Sequence, residues 1–150
     1  MCICLVKYQK EVMTNTKKSI SKLKKELDKW FSLYIRLRDC NDYGMVQCFT
    51  SGRVYHYKKM HAGHFMSRRH MATRYCEINV QPQSPADNLF GQGEQYRFGL
   101  HLDSKYGEGT AEEMQFKSRS NLKMSRVDYE EKISYYKKIV NKLKKEKGLE

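Results

Sequence analysis

The sequence predicts an α+β fold in which a strand–loop–helix core lies between long N- and C-terminal helices. Two observations set the flanks: apolar residues recur at three- and four-residue steps over 19–38 and again over 126–147. A third sets the centre, since 54–65 is rich in β-formers and aromatics and leads into a proline-containing stretch, 66–92.

In the first helix Ile20, Leu23, Leu27, Trp30, Phe31, Tyr34 and Ile35 share a face, and Lys22, Lys24, Lys25 and Lys29 fill much of the rest. Turn chemistry over 39–52 (Asn41-Asp42, Gly44, Ser51-Gly52) ends that pattern. The 54–65 segment alternates loosely and predicts a hairpin strand that carries the histidines. Residues 66–92, with Pro82 and Pro85, predict an irregular loop leading to a helix near Asn88. Two short helices follow: one over about 93–106, closed by Gly107, and one over 111–119, opened by the capping box Thr110-x-x-Glu113. The last helix, about 126–147, starts at Ser125-x-x-Asp128, and Tyr129, Ile133, Tyr136, Ile139, Val140 and Leu143 line one face. The two long stripes exceed what a small core can cover, which predicts a homodimer formed through the terminal helices. Residues 1–18 read as a flexible leader and 19–150 as one domain.

Charge narrows the partner. A net charge of +12 on a chain that is 12% aromatic is not a disordered basic tail, and it favours nucleic acid, where counterion release supplies affinity. No segment has the length and apolarity of a membrane span or signal peptide, so no membrane partner is expected. Five cysteines (2, 4, 40, 48 and 76) show no framework-like spacing, which points to free thiols in a reducing cytoplasm.

The chemistry concentrates in one window. Between Arg53 and Arg74 lie four of the five histidines (His56, His61, His64, His70) and six Lys/Arg, with no Asp or Glu. His61 and His64 on a short strand, with Asn79 and Asn88 downstream, are the ingredients of a one-metal phosphodiesterase centre: one histidine activates water, while the other and an Asn oxygen hold a divalent ion. A strand residue and a helix-start residue converge when the two elements pack. His61 and His64 cannot share a face of a regular strand, because odd spacing alternates faces, so Gly63 is expected to permit a bulge that re-aims one ring.

From about residue 27 to residue 143 the chain resembles the lambdoid phage NinG (Rap) recombination family. The matching runs are Phe31-Ser-Leu-Tyr-Ile-Arg-Leu-Arg-Asp-Cys40 and His61-Ala-Gly-His-Phe-Met-Ser-Arg-Arg-His-Met-Ala-Thr-Arg-Tyr75, then Asn79-Val-x-Pro-Gln83, Asp87-Asn88, Tyr96-Arg-Phe-Gly-Leu100 and Lys105-Tyr-Gly107. The resemblance implies a structure-specific endonuclease with a small ββα-metal (HNH) core hairpin flanked by the long terminal helices. It makes His64 the general base, Asn88 a metal ligand and Asn79 the middle, orienting residue; His61, where many relatives carry Asp, would be the second ligand. Arg68, Arg69, His70, Arg74, Lys58 and Lys59 would contact DNA.

Relatives of that kind carry two Cys-x-x-Cys knuckles around a structural zinc. Here the positions read Cys48-Phe-Thr-Ser51 and Ser84-Pro-Ala-Asp87, a poor tetrahedral set, so no structural zinc is expected and hydrogen bonds and packing must replace the clamp. Cys40 and Cys76 are expected to be free thiols. An imidazole at position 61 shifts preference from Mg²⁺ toward softer ions such as Mn²⁺.

The sequence therefore leads to a divalent-cation-dependent (Mg²⁺ or Mn²⁺) endodeoxyribonuclease acting on branched recombination intermediates such as Holliday junctions and D-loops. The alternative is a branched-DNA-binding recombination protein with weak or lost nuclease activity.

Overall fold

A computed structural model describes residues 17–150; the leader expected over 1–18 falls almost entirely outside the described residues. The fold is α+β. Helix α1 (Ile20–Arg38) is followed by a hairpin of β1 (Met45–Gln47) and β2 (Val54–His56), and a single 3₁₀ turn spans Tyr57–Lys59. A second antiparallel hairpin comprises β3 (His61–His64) and β4 (Val80–Gln83), with the short helix α2 (Met71–Arg74) between its strands. A π-helical turn (Ala86–Phe90), then α3 (Gln95–Tyr106), α4 (Thr110–Ser118) and α5 (Arg126–Glu146) complete the chain.

The flanking helices form for the reasons read from the sequence. The Ser19 side chain accepts from the Lys22 backbone N–H at the start of α1, and Ser125 and Asp128 form a reciprocal capping box at the start of α5. The two helices run parallel: Arg126 donates to the Lys18 carbonyl at one end, and Lys147 donates to the Leu37 carbonyl at the other. Leu23, Leu27, Phe31 and Ile35 are buried together with Tyr129, Ile133 and Tyr136. The stripes assigned to a partner copy thus largely cover each other within one chain, although Ile20 stays 42% exposed. Similar length and parallel pairing allow this match.

The centre departs from expectation. The single strand expected over 54–65 is two short strands separated by the 3₁₀ turn, and the region expected to be irregular contains β4. Gln81 and Gln83 in β4 are fully buried. Arg38 fixes this polar strand to α1, donating to the carbonyls of Glu77 and Val80 and to Gln81 Oε1. Pro82 has no N–H to give, but its carbonyl accepts from Phe49 and ties β4 to the loop of the first hairpin. The capping box expected at Thr110 does not form. Gly109, at φ 88°, is the cap, and Thr110 is the first helical residue, its hydroxyl donating to the Gly107 carbonyl. Among the described residues no helix is long and apolar enough to cross a membrane.

Candidate functional site

An open cleft of about 640 Å³ lies between α1, β3 and the 88–95 segment. His61, Ala62 and His64 all border it, although Gly63 makes no bulge: β3 and β4 pair one to one, with His61 opposite Gln83 and His64 opposite Val80. The expected bulge is therefore corrected. Among the described residues this sheet has two strands, and the outer edge of β3 is unpaired. Gly63 serves close approach instead. A Cβ there would come within 2.1 Å of Gln83 Oε1 and 2.9 Å of Gln83 Cβ.

His61 and Asn88 meet in this cleft, with His61 Nδ1 and Asn88 Nδ2 3.0 Å apart. A half-turn of the amide exchanges its nitrogen for its oxygen, which would place two neutral donors, an imidazole nitrogen and an amide oxygen, side by side. That pair fits a borderline divalent cation whose remaining positions open to the cleft for water or substrate oxygens. Among the described residues no three His, Cys, Asp or Glu side chains are grouped as a metal site, so any ion here would rest on this His–Asn pair.

His64 is placed differently. Its Nε2 lies 3.0 Å from the Arg74 carbonyl. A carbonyl can only accept, so Nε2 carries the proton and Nδ1 keeps the lone pair. Burial pushes the ring pKa down to about 4, the Arg74 carbonyl opposes that shift, and the Arg68 guanidinium adds to it. The ring is a neutral base at physiological pH.

Asn79 lies outside the cleft and is fully buried. Its amide donates to the carbonyls of Met66 and Thr73 and its oxygen accepts from the Met66 N–H, so it staples the loop that joins β3 to α2.

The basic residues divide. Arg68 lines the cleft and is exposed, and Lys58, Lys59 and Arg69 are exposed beside it in sequence. Arg69 donates to His70 Nε2, at the start of α2. Arg74 is not available as a DNA contact. Both its Nε and Nη2 donate to Asp28, at 3.0 and 2.6 Å, and Nη1 donates to the Arg68 carbonyl. Because His64 leans on the Arg74 carbonyl, this bidentate pair anchors the ring from α1. Asp28, Ser32 and Arg36 border the cleft as well. Motif spacing does not single them out, although their four-residue steps along α1, beside the apolar row Leu27–Phe31–Ile35, mark one polar stripe.

The former knuckle positions also converge. The Asp87 carboxylate accepts from Thr50 Oγ1 at 2.5 Å and from the Cys48 thiol at 3.5 Å; Gln83 Nε2 donates to Thr50 Oγ1 and the Ser84 N–H to Cys48 Sγ. Ser51 accepts from the Arg53 N–H and also hydrogen-bonds the Cys48 thiol; burial pushes that thiol's pKa up, but hydrogen bonds from Ser51, Thr50 and Ser84 hold it below its ordinary value. Hydrogen bonds thus join the first hairpin to the turn that bears Asn88. Cys40 and Cys48 are buried free thiols, and Cys76, also free, is only partly buried.

Taken together, these features define a small basic α+β protein built around a histidine–asparagine cleft. The family described as Bacteriophage Lambda NinG protein matches residues 6–146, and the chain belongs to that family. Membership relates it to phage recombination. Neither the curated proteins nor the solved structures contain a match.

Proposed function

We propose that this protein is an HNH-type, metal-dependent endodeoxyribonuclease that cuts branched DNA recombination intermediates. The observation that carries the reading is the meeting of His61 and Asn88 at 3.0 Å in a cleft that the neutral His64 also lines. His64 Nδ1 takes the proton of an attacking water. The water oxygen bonds to phosphorus, the P–O3′ bond breaks, the departing O3′ takes a proton from solvent in the open cleft, and the products carry a 5′-phosphate and a 3′-hydroxyl. Asn79 and the Asp28–Arg74 pair hold the loop and carbonyl that fix the ring. Arg68 draws the phosphate backbone toward the cleft, with Lys58, Lys59, Arg69 and His70 as further contacts to DNA. A Mg²⁺ or Mn²⁺ ion held by His61 and Asn88 would supply Lewis-acid stabilisation of charge building on the phosphate.

The absence of a carboxylate from the His61–Asn88 pair supports a second reading, a branched-DNA-binding protein with weak or lost nuclease activity, since Mg²⁺ prefers charged oxygen ligands. Incubation with synthetic four-way junctions, D-loops and linear duplexes, in Mg²⁺ or Mn²⁺, separates the two. Cleavage of branched substrates over linear duplex, stronger in Mn²⁺, is the expected result; binding without cleavage in either ion leaves the second reading. Elemental analysis should find no stoichiometric zinc, the Cys48–Asp87 bonds standing where a clamp would be. Cutting both strands of a junction would need two copies. With the terminal helices covering each other, pairing would use another face, and sedimentation with junction DNA measures it.

A further inference from the structure

Two aromatic side chains next in sequence to residues lining the cleft, Leu89 and Gln95, are largely exposed. Phe90 is 86% exposed and Tyr96 is 83% exposed. They stand at either end of a loop that is held firmly: Gly91 and Gly93 donate to the carbonyls of Ala86 and Asp87, and the Gly93 carbonyl accepts from the buried Gln83 amide. Within it, Gln92 and Glu94 take left-handed φ values of 52° and 48°, unfavourable for residues with side chains. Local strain and two rings left in water are costs that folding alone does not require.

Tyr96 borders a shallow groove of about 570 Å³, with Phe65, Met66, Gly99 and Leu100. Gln95 borders both this groove and the cleft, so the two adjoin at that side chain. Their chemistry differs. The cleft carries Arg36 and Arg68, whereas no lysine or arginine lines the groove, which offers aromatic and aliphatic surface, the amides of Gln95 and Gln115, and the Asp103 carboxylate, which accepts from the Ala111 N–H. A phosphate would find no cation there. An unstacked base would find a flat ring to stack on and amides for its polar edge.

We propose that the groove receives unpaired nucleobases of the strand running on from the scissile phosphate, with Tyr96 on its border as a stacking platform and Phe90, exposed at the other end of the loop, as a second. Resting on the reading of the cleft as a nuclease centre, this makes the two rings the determinants of preference for branched over linear DNA. Duplex bases are already stacked and cannot enter.

The test is binding of the full-length chain, in chelator so that nothing is cut, to a fork carrying 2-aminopurine in its unpaired arm and to a blunt duplex of equal charge. Wild-type protein should quench the fluorophore and prefer the fork. Tyr96→Ala and Phe90→Ala should each weaken fork binding by roughly 5- to 100-fold while leaving duplex affinity and its salt dependence unchanged, and Tyr96→Phe should keep the preference. Both residues are exposed, so the variants should melt as wild type does. Unchanged fork affinity in both alanine variants overturns the proposal, as does a fluorophore that is not quenched. So does sedimentation in which the rings prove to hold two copies together without affecting DNA. If wild type cuts branched DNA while fork binding ignores the rings, the nuclease reading stands and the groove assignment fails. Ring-dependent fork binding without cleavage in any ion supports the groove assignment and removes the nuclease reading.

Discussion

Asp87 and Asn88 are neighbours on one helical turn, yet they serve opposite sides of the molecule. Asp87 faces the first hairpin, where it accepts from Thr50 and Cys48 in a set of groups that bond chiefly to one another. Asn88 faces β3 and touches His61 in a cleft open to solvent. The first side is closed, its groups bonded mostly to one another, with Gln83 Oε1 the one buried side-chain oxygen among the described residues left without a partner. The second keeps donor atoms turned outward, at a place where a ligand can use them. Function is therefore to be sought on the Asn88 side and stability on the Asp87 side, although both depend on the same turn.

The largest expected effect lies in the cleft. His64→Ala should lower single-turnover cleavage by roughly 10²–10⁴-fold, the usual contribution of a general base, with DNA affinity nearly unchanged. Wild-type-like cleavage by the variant would remove His64 from the chemistry. The contrast between the neighbours is sharpened by two further variants. Asp87→Ala strips the acceptor from Thr50 and Cys48 and should cost about 1–3 kcal/mol in urea unfolding. Asn88→Ala should leave unfolding nearly unchanged but weaken Mn²⁺ binding in titration calorimetry. Equal stability losses in the two would erase the division between the sides.

Gly63→Ala should destabilise the β3–β4 hairpin by about 1–3 kcal/mol, because the added Cβ would meet Gln83, which is fully buried and has little room to yield. A wild-type melting curve would show that Gln83 can move aside.

The smallest effect is a pH dependence. His64 titrates near 4 in the fold against an ordinary 6.5, so the unfolded chain takes up this proton first as pH falls. Its contribution to stability is complete above pH 6.5 and declines between 6.5 and 4. In His64→Gln that portion of the acid sensitivity should vanish, seen as a smaller shift of the urea midpoint between about pH 7 and about pH 4.5.

Much of this arrangement is legible in the residues themselves. Heptad-like apolar spacing and serine caps announce α1 and α5, and the convergence of His61 with Asn88 follows from a strand and a helix start closing on one another. β4 is not legible. A segment containing Gln81, Pro82 and Gln83 lacks apolar alternation, and it becomes a strand because Arg38, Tyr106 and Thr50 supply partners for its buried amides. The assignment of Arg74 fails for a related reason. A basic residue in an acid-free window looks free until α1 brings Asp28 against it, and Asp28 lies 46 positions away.

Sequence alone determined the two long flanking helices and the inventory of chemically capable side chains, because periodicity and capping act between residues a few positions apart. Which apolar stripes meet, which arginine is neutralised, and which amide faces a cleft were decided only by the tertiary structure. Those outcomes depend on pairings across dozens of residues. There, the need to satisfy every buried polar group selects among partners that local spacing leaves equivalent.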